Sequence, residues 1–144
     1  MKKHAYLIMA HTQPELLKML LKKLDDERND IYLHIDSKAK DYPLDEVAAV
    51  LQKANCVFTE RTDVKWGSYS QINCEMVLLK EAIKCEHAYY HLLSGMDLPI
   101  KSQDDIHTFF EKYNGLEFVD EDLPEISEDA LSRVKYNHKF FGKA

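Results

Sequence analysis

Glycine is scarce in this sequence. The 144-residue chain has four: Gly67, Gly95, Gly115 and Gly142. Neither G-x-G-x-x-G nor a Walker lysine motif can be read in it. Dinucleotide and P-loop sites need backbone glycines so that phosphates can approach. Cysteine is as sparse. Cys56, Cys74 and Cys85 are odd in number and form no C-x-x-C, which suggests neither a disulfide framework nor a zinc knuckle. They read as reduced thiols of a cytoplasmic protein. Basic residues are the minority, 19 against 25 acidic, for a net charge of −6. With no basic stripe, nucleic acid is not an expected partner and a polybasic membrane anchor is not expected either. No apolar run approaches the roughly 20 residues that span a bilayer. The N-terminal segment, basic at Lys2-Lys3 and apolar from Ala5 to Ala10, is too short and lacks the cleavage site of a signal peptide. It reads as a buried first strand.

The length predicts one domain, able to bury roughly 68–70% of its unfolded surface. Short β-rich runs alternate with amphipathic stretches. The predicted strands are His4–Ala10, Ile31–Ile35, Cys56–Thr59, Ala88–Leu93 and Leu116–Val119. Thr12-Gln13-Pro14-Glu15 reads as a capping box opening a helix with Leu16, Leu17, Leu20, Leu21 and Leu24 on one stripe. A second helix is predicted over Leu44–Lys53. A third, capped by Ser68 or Ser70, has Ile72, Met76, Leu79 and Ile83 on its expected core face. A fourth runs from the Ser102 cap to Lys112 and is closed by Asn114-Gly115. This alternation means βαβ units and a mainly parallel sheet.

In such sheets ligands sit beyond the carboxyl ends of the strands. The segments expected on that rim are 10–12, 36–38, 60–62, 94–97 and 120–122. Ala10-His11-Thr12 lacks the acidic pair of a phospho-receiver domain. Asp36 either accepts a hydrogen bond from a nucleobase N–H or ribose hydroxyl, or caps its own loop. Trp66, the only tryptophan, lies in the long loop 60–69. It either stacks a base or sugar face, or packs down as a lid. Ser94-Gly95-Met96-Asp97-Leu98-Pro99 presents Asp97 between a permissive glycine and a rigid exit, or is a plain strand-to-helix turn. His11 reads as a ligand contact or a structural hydrogen-bonder. Asp120 and Asp122 read as a divalent-metal pair or as part of a solvated acidic run.

Taken together, H-A-Y-L-I-M-A-H, L-H-I-D-S-K, W-G-S-Y-S-Q-I-N-C and Y-Y-H-L-L-S-G-M-D-L-P-I-K-S resemble the Core-2/I-branching glycosyltransferases, from about His4 to about Val119. That family includes β-1,6-N-acetylglucosaminyltransferases and peptide O-xylosyltransferases. The resemblance implies a GT-A-like nucleotide-sugar-binding α/β fold. It implies an inverting transfer of a sugar, N-acetylglucosamine or xylose, from a UDP-sugar to a glycan or protein hydroxyl. By the same resemblance Met9, Ala10 and Asp36 line the uridine pocket and Trp66 lies in the donor site. The turn Ser94, Gly95, Met96, Asp97 takes the place of a metal-binding D-x-D. No metal is implied, because basic side chains from the family's C-terminal half neutralise the diphosphate.

The family's catalytic base and those basic residues lie beyond residue 144. The expectation is therefore one nucleotide-sugar-binding domain over residues 1–144, the N-terminal part of a longer, truncated glycosyltransferase domain. Glu60, Asp97 and Asp120 are available carboxylates, but no family motif promotes them to the base. With no anchor segment, a bacterial-type cytoplasmic enzyme of surface-polysaccharide synthesis is expected, and self-association through an uncovered sheet edge or the C-terminal tail. Two other readings stay open: a non-catalytic nucleotide-binding or interaction module, and an unrelated open α/β domain of flavodoxin-like type.

Overall fold

The structure, a computed structural model, describes residues 2–118. Its elements are β1 (His4–Ala10), α1 (Pro14–Leu24), β2 (Asn29–Ile35), α2 (Leu44–Ala48), β3 (Asn55–Phe58), α3 (Tyr69–Ala82), β4 (Tyr89–Ser94) and α4 (Gln103–Lys112). The four strands form one sheet in the order β3-β2-β1-β4, with every pair parallel. The chain winds outward from β1 to β3, then crosses β1 to add β4. The switch point lies between β1 and β4, where an open sheet leaves a crevice.

β1 and β2 are apolar on both faces because both faces are covered. On one face Tyr6, Ile8, Ala10, Ile31, Leu33 and Ile35 pack with the α1 leucines and Val47. On the other, Ala5, Leu7 and Tyr32 pack with Cys74, Leu78 and Ala82 of α3.

Four expectations are corrected. The capping box at Thr12 does not form. Gln13 is the N-cap, in a left-handed conformation with no side-chain cap bond, and Glu15 turns instead to Lys18, 2.9 Å away. The second helix stops at Ala48 rather than Lys53. The N–H groups that would continue it, of Gln52, Lys53 and Ala54, are taken by the Asp25 carboxylate at 2.8–3.1 Å. The core face of α3 is Cys74, Leu78 and Ala82, at i, i+4 and i+8, while Ile72, Met76 and Ile83 are exposed. Leu7 and Tyr32 fill the layer beneath, so the small Cys74 and Ala82 flank Leu78 at the contact, and Leu79 of the expected stripe packs at its border. Residues 116–118 form no strand. Their register is lost to α4, where the Phe118 ring sits 5.2 Å from Phe109 and 5.3 Å from Phe110. Val119 lies outside the described residues.

The remaining helix signals hold. Ser68 caps α3 by accepting from the Ser70 N–H. Ser102 and Asp105 form a reciprocal capping box on α4.

Candidate active site at the carboxyl ends of the strands

The carboxyl ends of β1, β2 and β4 border a cavity of about 550 Å³, lined by Met9, Ala10, His11, His34, Asp36, Lys38, Val64, Trp66, Gln71, Cys74 and Ser94. Its size suits a small-molecule ligand. Five of the seven residues named from sequence thus share one cavity: Met9, Ala10, Asp36, Trp66 and Ser94. Gly95 and Asp97 stand behind it in the β4–α4 turn.

That turn is built on hydrogen bonds. Asp97 accepts from the Ser94 N–H at 2.7 Å, its own N–H returns to the Ser94 carbonyl at 3.1 Å, and the Ser94 hydroxyl oxygen accepts from the Met96 N–H at 3.2 Å. One Asp97 oxygen is therefore spent on the turn. Gly95 donates to the Met9 carbonyl at 2.7 Å and is buried.

Asp36 follows β2 directly and is 6% exposed. Its Oδ1 accepts from the Lys38 N–H at 2.9 Å, and its Oδ2 lies 3.4 Å from Lys38 Nζ. An ionised carboxylate offers about four acceptor directions. Asp36 therefore keeps acceptor capacity for a ligand N–H or hydroxyl. Lys38 also pairs with Asp63 at 3.0 Å and donates to the Val64 carbonyl. Its ammonium is raised above its usual pKa, chiefly by the Asp63 bond. Arg61 braces this floor from below, donating to the carbonyls of Ile35 at 3.1 Å and Asp36 at 2.8 Å.

His34 Nε2 accepts from the Thr62 N–H at 3.0 Å, which places the imidazole proton on Nδ1. Burial holds its pKa below the ordinary value, so it is neutral near pH 7. Cys74 is fully buried, and burial pushes its thiol up to about 12. It shapes the wall and is no nucleophile.

Trp66 is 85% exposed. Its position is nonetheless fixed, because residues 65–70 form a closed hydrogen-bonded turn. Ser68 donates to the Lys65 carbonyl at 2.9 Å, Lys65 N–H donates to Ser70 Oγ at 2.7 Å, and Gln71 accepts from the Gly67 N–H. Gly67 has φ +71°, a left-handed value that glycine adopts at no steric cost. The indole is a presented face rather than a lid sunk into the core.

Gln71 and Cys74 enter from the first turns of α3, and Val64 from the loop before it; sequence reasoning missed all three. The one signal for them was their closeness to Trp66 in the chain. Glu60 is exposed and lines no part of the cavity. Asp120 and Asp122 lie outside the described residues. Among the described residues no three His, Cys, Asp or Glu side chains gather to hold a metal ion, and no helix is long and apolar enough to cross a membrane.

The sequence profile of the Core-2/I-Branching enzyme family matches residues 4–142. The chain belongs to this family. It is similar to a human β-1,3-galactosyl-O-glycosyl-glycoprotein β-1,6-N-acetylglucosaminyltransferase, 31% identical over 109 residues that cover 71% of this chain and 25% of the human protein. It is also similar to form 3 of that enzyme from Bos taurus, 23% identical over 139 residues covering 94% of this chain and 31% of the bovine protein. A bovine herpesvirus 4 enzyme of the same description is 22% identical over an equal span. The chain spans a quarter to a third of the length of these relatives. Its all-parallel sheet flanked by helices is consistent with the GT-A-like α/β fold expected from the sequence.

Proposed function

We propose that residues 1–144 form the nucleotide-sugar-binding part of a longer inverting glycosyltransferase domain. The whole enzyme would transfer a sugar, N-acetylglucosamine or xylose, from a UDP-sugar to a glycan or protein hydroxyl. The observation that carries the reading is the cavity at the β1/β4 switch point. It joins a carboxylate with spare acceptor capacity, Asp36, to an exposed indole, Trp66, against the Met9–Ala10 strand end. A nucleobase needs that combination: an acceptor for its N–H and a flat face to stack on. Ser94 supplies a hydroxyl at the same rim, while Gly95 and Asp97 hold the turn that presents it.

Among the described residues Asp36 is the one carboxylate lining this cavity, and Lys38 engages it. We therefore assign Asp36 to binding and expect the base outside this cavity. We expect no metal requirement, as the family resemblance implies; the Ser94–Asp97 turn holds one Asp97 oxygen on backbone.

Trp66, the only tryptophan, reports binding directly. UDP and UDP-N-acetylglucosamine are expected to quench its fluorescence weakly, equally with Mn²⁺ or EDTA. Asp36→Ala is expected to abolish the quench. Preference for an adenine nucleotide, or full binding by D36A, overturns the reading. UDP-coupled broadening by Mn²⁺ at Asp120 and Asp122 would instead place a metal in the site. The 144-residue chain with UDP-N-acetylglucosamine and mixed glycan acceptors is expected to show no turnover. Acceptor-dependent turnover would make Glu60 and Asp97 the first carboxylates to replace.

A further inference from the structure

The opposite end of the sheet carries a second cluster of titratable groups that the donor cavity does not use. His4 opens β1, His91 lies in β4 and His107 in α4. The His4 ring centroid is 4.2 Å from that of His107 and 5.1 Å from that of His91. His4 and His107 are almost fully buried. The rings of Phe110 and Tyr89 close over His4 at 5.4 and 5.5 Å, and Tyr6 stacks on His91 at 4.6 Å.

The hydrogen bonds limit how many protons this cluster can hold. Asn29 Nδ2 donates to the Leu24 carbonyl at 2.8 Å and to Gln103 Oε1 at 2.7 Å. Its Oδ1 must then accept, and His107 Nε2–H donates to it at 2.9 Å. His4 Nδ1 and His91 Nε2 face each other at 3.0 Å. Only one of those two nitrogens can carry a proton; with both protonated, two N–H groups would meet head-on.

Among the described residues, the counter-charge that reaches the cluster, from Asp26 and Asp104 on His107, is already shared with Arg28. Asp26 gives both oxygens to Arg28, at 2.7 and 2.8 Å, and Asp104 pairs with the same guanidinium at 2.7 Å. Arg28 itself faces His4 and His107 as a like charge. His87 pairs with Asp30 at 3.1 Å, and Asp30 also holds Lys3 at 2.8 Å. Lys2 and Glu111 border a cavity of about 440 Å³ that reaches His4 and His107, a route for water and protons. Glu111 makes no ion pair with the imidazoles among the described residues.

These rings are also the seat of α4. The helix is tied to the sheet through His107, Phe110, Gln103 and Asp104, and its N-terminus continues directly from the 94–102 segment. We propose that His4, His91 and His107 form an acid-sensitive latch, which holds α4 on the sheet near neutral pH and releases it as the cluster takes up protons. Burial first, then mutual repulsion, pushes His4 down to about 3, and burial pushes His91 to about 4. Opening restores each ring to an ordinary solvated value, so acid favours the open form. The latch stands whatever ligand the far rim binds.

Amide hydrogen exchange on the 144-residue chain, corrected for the intrinsic pH effect, tests this. Between about pH 7 and pH 5 the protection of 103–112 is expected to fall about tenfold or more relative to α1 and β2. Parallel loss across α1, β2 and α4, or no loss in α4, overturns the latch. His91→Phe keeps the ring stack and is expected to make the α4 step shallower. Should that variant not fold, ring-proton NMR of the wild-type chain decides. His4 and His107 titrating together with the α4 amides support the latch. Titration at the ordinary imidazole value with α4 amides unmoved refutes it.

Discussion

Gly95 lies so close to Ala10 that a Cβ at position 95 would stand 2.6 Å from the Ala10 Cβ, 3.3 Å from its Cα and 3.4 Å from the Met9 carbonyl oxygen. β1 is hydrogen-bonded on both sides, to β2 and β4, so it has no freedom to recede. Gly95→Ala is expected to cost about 1–3 kcal/mol, as overpacking does, and to displace Ser94 from the cavity. Ala10→Gly removes the nearest atom and should restore part of the loss in the G95A background. Urea midpoints of the two single variants and the double variant check this. Additive losses would mean that the two residues do not press on each other.

Asp25 holds three consecutive N–H groups, of Gln52, Lys53 and Ala54, with one carboxylate. Burial pushes its pKa up, but the three backbone bonds outweigh that and hold it below the usual carboxylate value. Asp25→Ala strips all three donors of their acceptor. It is expected to lower stability by about 1–3 kcal/mol and to raise exchange at residues 49–54 first. Unchanged exchange there would show that water replaces the carboxylate without loss.

The Asp25 capture also shows why the end of α2 was not legible. Val47, Val50 and Leu51 have helical spacing, and the group that ends the helix lies 27 residues upstream of Gln52. β1 and β2 were legible because burial on both faces leaves uninterrupted apolar runs. The face of α3 was not, because two apolar stripes compete there. Ile72, Met76 and Ile83 are the more hydrophobic set, yet the space over Leu7 and Tyr32 admits Cys74 and Ala82. Leu116–Phe118 has strand composition, but its rings go to α4. At the site, Ala10, Asp36 and Ser94 follow from the rule of strand carboxyl ends, and Met9 from the family resemblance. Gln71 and Cys74 reach the cavity from a helix, which only the crossing of α3 over β1 and β2 reveals.

The misread stripe of α3 has a consequence. Ile72, Met76 and Ile83 share their side of the sheet with Tyr90 and Leu92 of β4, all exposed. Among the described residues β4 is the last strand on its side of the sheet, and it carries no Lys, Arg, Asp or Glu, the residues that usually guard an edge strand. The 144-residue chain is expected to self-associate through this face as concentration rises. Sedimentation velocity over a wide concentration range measures it. Leu92→Lys should shift the chain to monomer, whereas Met19→Lys, on the exposed side of α1, should not. Equal effects of the two would assign the association to general surface polarity.

Stability is expected to fall with acid in two stages. His4, His34, His91 and His107 all have folded pKa values pushed below the ordinary 6.5, in each case chiefly by burial. The unfolded chain therefore binds protons first. The stability contributed by these neutral rings is complete above about pH 6.5 and erodes as pH falls toward the folded values. For His4 and His91 that window closes at about 3 and about 4. The second stage belongs to carboxylates. The Arg28 guanidinium holds Asp26 well below its ordinary 3.8. Its contribution is present above that value and is lost as pH falls below it. The first stage begins before the second because imidazoles in water titrate more than two units above carboxylates. Urea midpoints should decline measurably between about pH 7 and pH 5, before carboxylates titrate, and unfolding near pH 5.5 in weak buffer should take up protons. A flat midpoint with no proton uptake in that window would mean that the imidazoles titrate in the fold as they do in the unfolded chain. The neutral His4–His91 bond would then contribute no acid-dependent stability.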